Sequence, residues 1–146
     1  MSIRISRVLG MCRKSKLLCT TQNEVDLDEA KALVKNGVLA VSEGANIPCV
    51  SKAVDLFIEK GVSFGPGKVA NAGGVATSGL EMSQNSLRYS WTKDEILDRL
   101  HKIVINIHSQ ANKTAEEFDA PENYVIGANI AGFMKVAKAM LAQDVI

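Results

Sequence analysis

Apolar runs and amphipathic stretches alternate along the first half of the chain. One amphipathic stretch follows a cap at Asp26 or Asp28 and reaches Asn36, and another covers residues 51–60. Gly37 and Gly61 close these predicted helices. A continuous apolar run at residues 38–41 predicts a strand that is buried on both faces, and residues 17–20 and 62–64 predict two further strands. Two successive β-α-β units of this kind predict an α/β fold with a short parallel sheet.

The second half of the chain has a helical pattern throughout. Thr92 and Glu95 have the spacing of a capping box, and the apolar stripe behind them predicts a long helix that reaches about Phe118. Pro121 ends that helix, and a last helix is predicted over residues 129–143. Its predicted inward positions are Ile130, Phe133, Val136, Ala137, Met140 and Leu141.

Between these halves, the strand predicted at residues 62–64 leads into residues 65–82, which are rich in glycine and predict a loop over residues 65–74 and then a helix. Glycine allows backbone N–H groups to approach a ligand, and the start of a helix presents unpaired donors. Asn71, Thr77 and Ser78 stand where their side chains could complete such a site. A turn that only packs a helix against a sheet explains the same residues equally well.

Three loops follow the predicted strands, at residues 21–23, 43–46 and 65–74, and each contains an amide side chain. In a parallel sheet these loops lie at one edge, where open α/β folds bind ligands. Amides both donate and accept hydrogen bonds, so they suit a nucleotide ribose or a nicotinamide. Asn and Gly are also common turn residues. Because all three loops share the feature, we predict a ligand-binding edge.

The composition of the chain limits the classes of partner that it could bind. The 146 residues are enough for one domain or a part of one, and 47% are hydrophobic. Subtracting the five positive charges of residues 1–18 from the net charge of +1 leaves −4 for the remainder. The sequence has no basic stripe of the kind that predicts nucleic-acid binding. It also has no apolar run that approaches the roughly 18 residues needed to span a membrane.

Cysteine and histidine spacing predicts no metal site and no disulfide framework. The 3 cysteines are irregularly spaced, without a C-x-x-C pair, which is typical of free thiols in a reducing compartment. His101 and His108 lie about 10.5 Å apart along a helix axis, too far to bind one metal ion together.

Residues 1–18 form a basic leader without any acidic residue. This composition resembles an organelle-targeting presequence. The alternative is a disordered or mis-started segment foreign to the domain. We favour the alternative, because the similarity described next begins abruptly at about Cys19.

Several long motifs stand in order along the chain: Cys-x-Thr-Gln-Asn-Glu at 19–24, Glu-Gly-Ala-Asn at 43–46, Pro-Gly-Lys-x-x-Asn-Ala-Gly-Gly-Val at 66–75, Ser-Gly-x-Glu-Met at 78–82 and Gly-Ala-Asn-Ile-Ala-Gly-Phe from 127. They resemble those of the glutamate dehydrogenases, within the Glu/Leu/Phe/Val dehydrogenase family, and most of all the hexameric NADP-using type. The resemblance implies that residues 19–146 are the C-terminal portion of such an enzyme. Its fold would be a partial Rossmann-like nucleotide-binding domain followed by long C-terminal helices.

The resemblance also implies roles for individual residues. Thr21, Asn46 and Asn71 match positions near the nicotinamide end of NADP or NAD, and Ser78 and Val75 match the pocket for the glutamate side chain. No catalytic residue and no metal ligand is carried over. The intact family enzyme is a cytoplasmic homohexamer acting on L-glutamate and 2-oxoglutarate, and its catalytic lysine lies in a domain without a counterpart here.

Three functional hypotheses follow. The chain could be part of an oxidoreductase that oxidatively deaminates L-glutamate with NAD(P), and we expect it to be inactive alone because acid–base work needs a positioned titratable group. Lys68 is the best candidate for such a group in the loops. The alternatives are a non-catalytic module, which binds the edge of a dinucleotide or associates with other subunits, and a truncated product without function.

Overall fold

The computed structural model describes residues 14–145, which fold as two compact units. The first unit ends at Asn71 and contains the sheet, and the second begins at Ala72 and is built from helices. The predicted order, a short parallel sheet with helices followed by long helices, is confirmed.

The first unit is a three-stranded parallel sheet with its connecting helices. The strands lie side by side in chain order, with Leu18 beside Glu43 and Ser42 beside Gly65. All three strands therefore end at one edge of the sheet. The elements are β1 (Ser15–Leu18), α1 (Leu27–Lys35), β2 (Ala40–Glu43), α2 (Ser51–Glu59), β3 (Ser63–Gly65) and the short α3 (Gly67–Ala70).

Local sequence signals fix the ends of these helices. Asp26 caps α1 by accepting hydrogen bonds from the backbone N–H groups of Asp28 and Glu29, at 2.8 and 2.9 Å. The Glu29 carboxylate accepts in return from the Asp26 N–H at 3.0 Å, which completes a capping box. Gly37 and Gly61 follow α1 and α2 with φ of 75° and 67°, the left-handed conformation expected of a helix stop.

The core of the first unit lies between α2 and the sheet. Phe57 on α2 is completely buried, and its ring stacks on that of Phe64 in β3, with the ring centroids 5.9 Å apart. Burying one such ring contributes about 1.5–3 kcal/mol. Other fully buried side chains are Val25, Val41, Pro48 and Cys49. The core therefore fixes β2 and β3, the strands whose ends carry the loops described below.

The second unit consists of α4 (Ala72–Leu87), α5 (Lys93–Glu117) and α6 (Tyr124–Ala142). The capping box predicted at the start of α5 is confirmed, with Thr92 and Glu95 bonded reciprocally. The Thr92 backbone N–H and hydroxyl both donate to the Glu95 Oε2, at 2.7 and 2.8 Å, and these bonds lower the pKa of Glu95. The Trp91 N–H donates to Gln84 of α4 at 2.7 Å, and the Arg99 guanidinium lies 4.3 Å from the Trp91 ring centroid.

Helices α5 and α6 approach closely at Gly127. A Cβ added there would meet the backbone oxygen of Ala111 and would lie 3.0 Å from the Cβ of Ala115. All three residues are buried. The absence of a side chain at Gly127 thus permits a direct backbone contact, and His108 and Tyr124 add a tilted ring contact of 5.2 Å nearby.

The predicted glycine-rich loop over residues 65–74 is wrong, because most of it is helical. Pro66 is the N-cap of α3 directly after β3, and Asn71 is its C-cap. α4 starts at Ala72, so Gly73 and Gly74 lie inside a helix. Each glycine costs a helix about 1 kcal/mol relative to alanine. That cost is small enough for the surrounding good helix formers to override.

The predicted start of the last helix is also wrong. Asn123 caps α6 by accepting from the Ile126 N–H at 3.1 Å, so the helix begins five residues before the predicted position at Asn129. Its apolar residues do not all point inward either. The exposed fractions of Phe133, Val136 and Leu141 are 69%, 59% and 59%.

The strands differ from prediction in position. Ser15–Leu18, the last four residues of the predicted leader, form β1 and pair with β2, and residues 1–13 lie outside the described part of the chain. β2 begins at Ala40, two residues later than predicted. Apolar content predicts which residues are buried in the core but not where a strand begins. Val38 is buried although it precedes the first residue of β2.

Within residues 14–145, α6 is the one helix long and apolar enough to cross a membrane, by length and composition only. The sequence-based prediction concerned uninterrupted apolar runs, and α6 contains no such run of roughly 18 residues. A single helix of this kind is weak evidence for a membrane span, and Lys135 and Lys138 lie within it.

Candidate functional site

The loops after β1 and β2 are bonded together at the carboxyl edge of the sheet. The Asn23 N–H donates to the Ile47 carbonyl, and the Val25 N–H donates to the Pro48 carbonyl, each at 2.9 Å. Val25 also forms an isolated parallel bridge with Cys49. The predicted meeting of the loops at residues 21–23 and 43–46 is thus observed.

The loop after β2 meets the segment after β3 through a pair of amides. The Asn71 Nδ2 donates to the Asn46 Oδ1 at 3.0 Å. Asn46 is exposed and Asn71 is half-buried, so this amide pair, Asn46 with Asn71, faces solvent at the sheet edge. Two of the three predicted cofactor residues are therefore in direct contact.

A buried carboxylate, that of Glu43, links two segments of this edge through hydrogen bonds. Glu43, the last residue of β2, is 5% exposed. Its Oε2 accepts from the Gly67 N–H at 2.8 Å, and its Oε1 accepts from the Cys49 N–H at 3.2 Å. These two bonds connect the end of β2 to Cys49, shortly before α2, and to Gly67, the first residue of α3.

The backbone beside Asn46 is in an unusual conformation. Ile47 has φ of 51°, in the left-handed region that a β-branched residue rarely adopts, and its side chain is 53% exposed. A residue held this way costs roughly 1–3 kcal/mol, and such residues concentrate at functional sites. The bonds that Ile47 and Pro48 accept from the first loop hold this turn in place.

Thr21, the third predicted cofactor residue, lies in the first loop. Its backbone N–H and its Oγ1 both donate to the Glu24 Oε2, at 2.9 and 3.0 Å. The hydroxyl proton is thus directed to Glu24, while the hydroxyl oxygen still has lone pairs to accept a further bond. Thr21 is exposed.

The predicted substrate residues belong to the second unit. Val75 and Ser78 are three residues apart on α4, which places them on one helix face. Val75 is 79% exposed, and Ser78 is exposed with its Oγ donating to the Gly74 carbonyl at 3.3 Å. Both side chains are therefore accessible to solvent on α4.

The thiol of Cys49 is chemically quiet. Burial, followed by the charge of Glu43 and a hydrogen bond to it, raises the pKa of this thiol from 9.0 to about 12. Cys19, by contrast, is exposed. A nucleophilic role for Cys49 at neutral pH therefore has no physical support, since the thiolate is the reactive form.

This pKa shift predicts a loss of stability at high pH. The folded state holds the Cys49 proton up to about pH 12, whereas an unfolded thiol loses it near 9.0. The stabilisation is complete below pH 9 and disappears between pH 9 and 12, by at most about 1.4 kcal/mol per pH unit. We expect urea midpoints to fall more steeply with pH in this range for the unaltered chain than for Cys49→Ala. Parallel slopes would contradict the assignment.

Glu43 has no role in the sequence-based prediction, although one signal could have found it. An acidic residue at the end of a buried strand has to be paired, because an isolated buried charge is costly. Among residues 14–145 no group of three potential metal-binding side chains comes together. Lys68, the predicted titratable candidate, lies exposed on α3.

The fold is that of the Rossmann-like domain of a dehydrogenase. A glutamate dehydrogenase from Plasmodium falciparum matches with a TM-score of 0.85 and 44% identity, over 89% of this chain and 28% of that one. The family model for Glutamate/Leucine/Phenylalanine/Valine dehydrogenase matches residues 6–144. The chain belongs to this dehydrogenase family, and its fold is Rossmann-like.

Curated relatives are more similar still. The NADP-specific glutamate dehydrogenase of Salmonella typhi is 58% identical over 130 residues, which are 89% of this chain and 29% of the relative. The NAD-specific glutamate dehydrogenase of Bacteroides fragilis is 54% identical over 130 residues, again 29% of its length. The chain thus spans less than a third of the length of these relatives.

Proposed function

We propose that this chain supplies the nicotinamide-facing edge of a glutamate dehydrogenase, which oxidatively deaminates L-glutamate to 2-oxoglutarate and ammonia with NADP or NAD. The observation that carries the proposal is the contact between Asn46 and Asn71 at the carboxyl edge of the sheet. The identities of 58% and 54% to an NADP-specific and an NAD-specific enzyme support it for the cofactor class.

The amide pair suits a carboxamide ligand because of what its internal bond leaves unused. Asn71 donates to Asn46, so the Asn46 Nδ2 remains as a donor and the Asn71 Oδ1 remains as an acceptor. A nicotinamide carboxamide presents one acceptor and one donor, which match this pair. Reversing both amides also leaves one donor and one acceptor. Thr21, with an oxygen able to accept, is the neighbouring candidate for a ribose hydroxyl.

Substrate binding is assigned to α4. Ser78 is proposed to donate to the side-chain carboxylate of glutamate, and Val75 to line the same pocket in the intact enzyme. Ser78 could release its 3.3 Å bond to Gly74 at little cost, because that bond is long and exposed. In the intact family enzyme, a homohexamer in the cytoplasm, we expect further residues from the rest of the chain to complete the pocket.

Hydride transfer needs the nicotinamide C4 held against the substrate Cα, and positioning is the protein's main contribution. The amide pair and Thr21 of the first unit are proposed to position the cofactor, and Ser78 of the second unit is proposed to hold the substrate. They cannot accept a proton from the substrate ammonium, which is the task of a positioned base. We therefore propose that the chain binds the nicotinamide half of the cofactor and does not turn over alone.

A two-part experiment tests this proposal. In an NMR titration of the ¹⁵N-labelled chain, nicotinamide mononucleotide should shift the side-chain signals of Asn46 and Asn71, whereas 5′-AMP should leave them in place. The same sample, incubated with glutamate and NADP or NAD, should reduce no cofactor. Equal shifts with both nucleotides would refute the assignment of the nicotinamide end, and turnover at ordinary dehydrogenase rates would refute the inactivity.

The exposed apolar residues of α6 favour a second candidate, a non-catalytic subunit-association module. Phe133, Val136 and Leu141 are each at least 59% exposed. Apolar surface on this scale is typical of an interaction face or of an aggregation-prone fragment. Concentration-dependent association in sedimentation velocity, reversed by Phe133→Ser, would support the module. A chain that stays monomeric at all concentrations would exclude the association module, so that only the cofactor-binding edge and a product without function would remain as hypotheses.

A further inference from the structure

We propose that Glu43 is a positioning residue for the amide pair. It is buried at the end of β2 and touches neither Asn46 nor Asn71 through a side-chain hydrogen bond, yet its carboxylate is bonded to the segment of each. The inference deepens the proposed function, on which its ligand-binding consequence rests. Its structural consequence can be tested without any ligand.

The link to Asn71 has two steps. The Glu43 Oε2 accepts from the Gly67 N–H at 2.8 Å, and the Gly67 carbonyl in turn accepts from the Asn71 N–H at 2.9 Å. Gly67 is the first residue of α3 and Asn71 is its C-cap. Since α3 is a single turn, fixing its first residue also fixes the position of the last.

The link to Asn46 is the closure of its loop. Glu43 is the residue before this loop, and its Oε1 accepts from the N–H of Cys49, the residue after Pro48, at 3.2 Å. The loop that carries Asn46 is therefore held at both ends by one side chain. The turn inside it includes Ile47 at φ of 51°, a conformation that persists only when its surroundings enforce it.

Only a carboxylate serves both links. Two backbone donors converge on Glu43, and an ionised carboxylate offers two acceptor oxygens and no donor. A glutamine in its place could accept from one donor and would direct its own N–H₂ at the other. Space is limited as well, because a Cβ added to Gly67 would lie 2.7 Å from the Ala45 carbonyl and 3.4 Å from the Glu43 Oε2.

The experiment compares Glu43→Gln with Glu59→Gln, the same change at a carboxylate that is 69% exposed on α2. Side-chain amide signals of Asn46 and Asn71, assigned with single alanine variants, are recorded without ligand. In Glu43→Gln both should move to the positions of free asparagine, and Glu59→Gln should leave them unchanged. Folded Glu43→Gln with both signals unmoved would overturn the proposal.

Two further measurements separate positioning from general support. Affinity for nicotinamide mononucleotide should weaken about tenfold in Glu43→Gln, the effect of losing one well-placed hydrogen bond. Glu43→Asp, which keeps the charge, should restore part of it. If the unaltered chain binds no nicotinamide mononucleotide, the proposed function fails, while the ligand-free signals still decide the role of Glu43.

A third measurement applies if Glu43→Gln does not fold. Hydrogen exchange of the unaltered chain should then show the Gly67 and Cys49 amides protected to the same degree as β2. Exchange at the rate of exposed loop amides would show that the Glu43 bonds do not hold in solution, and the proposal would be rejected.

Discussion

Gly127→Ala is expected to lower the free energy of unfolding of the second unit by about 3 kcal/mol. The added methyl group would meet the backbone of Ala111, which cannot move aside as a flexible side chain would. α5 and α6 would have to separate along their contact. For a unit of this size the loss corresponds to a fall in melting temperature of roughly 12–24 °C. Fluorescence of Trp91, which lies in the second unit, measures it.

Gly132→Ala is the matched control on the same helix. Nothing lies within 4 Å of a Cβ added at Gly132. Alanine is about 1 kcal/mol more favourable than glycine inside a helix, so this variant should melt at the same temperature or slightly higher. Equal melting temperatures for the two variants would show that the close contact of α5 and α6 is absent in solution.

Phe57→Ala is expected to destabilise the first unit by about 3–5 kcal/mol. Phe57 is completely buried and stacks on Phe64, so its removal leaves a cavity between α2 and the sheet. The loops at the sheet edge depend on this core, and the hydrogen bond between Asn46 and Asn71 should weaken with it. Hydrogen exchange at the Val41 amide, in the middle strand, reports the loss.

Phe133→Ala makes the same chemical change at a ring that is 69% exposed. Its effect on the stability of the isolated chain should stay within about 0.5 kcal/mol. A larger loss for Phe133→Ala than for Phe57→Ala would mean that the core of the protein in solution is not the one described here.

Much of the fold follows from local signals that act within a few residues. Asp26, Gly37, Gly61 and Thr92 fix helix ends through their own side chains or backbone preferences, and each was predictable. The order of the parallel strands was predictable as well, because two β-α-β units leave few alternatives. The start of α6 was missed because Asn123 was overlooked as a cap.

The candidate site was only partly predictable. The topology of a parallel sheet predicts that Asn46 and Asn71 lie at the same edge. Their direct hydrogen bond depends on α3, which was not predicted because the glycine content of residues 65–74 favoured a loop. Glu43 was missed because its partners are backbone N–H groups 6 and 24 residues away. Its position at the end of a buried strand signals that Glu43 needs a partner, but backbone donors have no signature in a sequence, so the identity of its partners becomes visible only in coordinates.

The short connection between α5 and α6 has a consequence for the timing of folding. Only residues 118–123 separate the two helices, so closing this loop costs little entropy and the helices can meet within microseconds to milliseconds. β1 and β2 can pair only after residues 19–39 are arranged between them, which is intrinsically slower. During synthesis the strands, which pair slowly, leave the ribosome before α5 and α6. Translation of α5 and α6 therefore gives the sheet the additional time that its pairing requires.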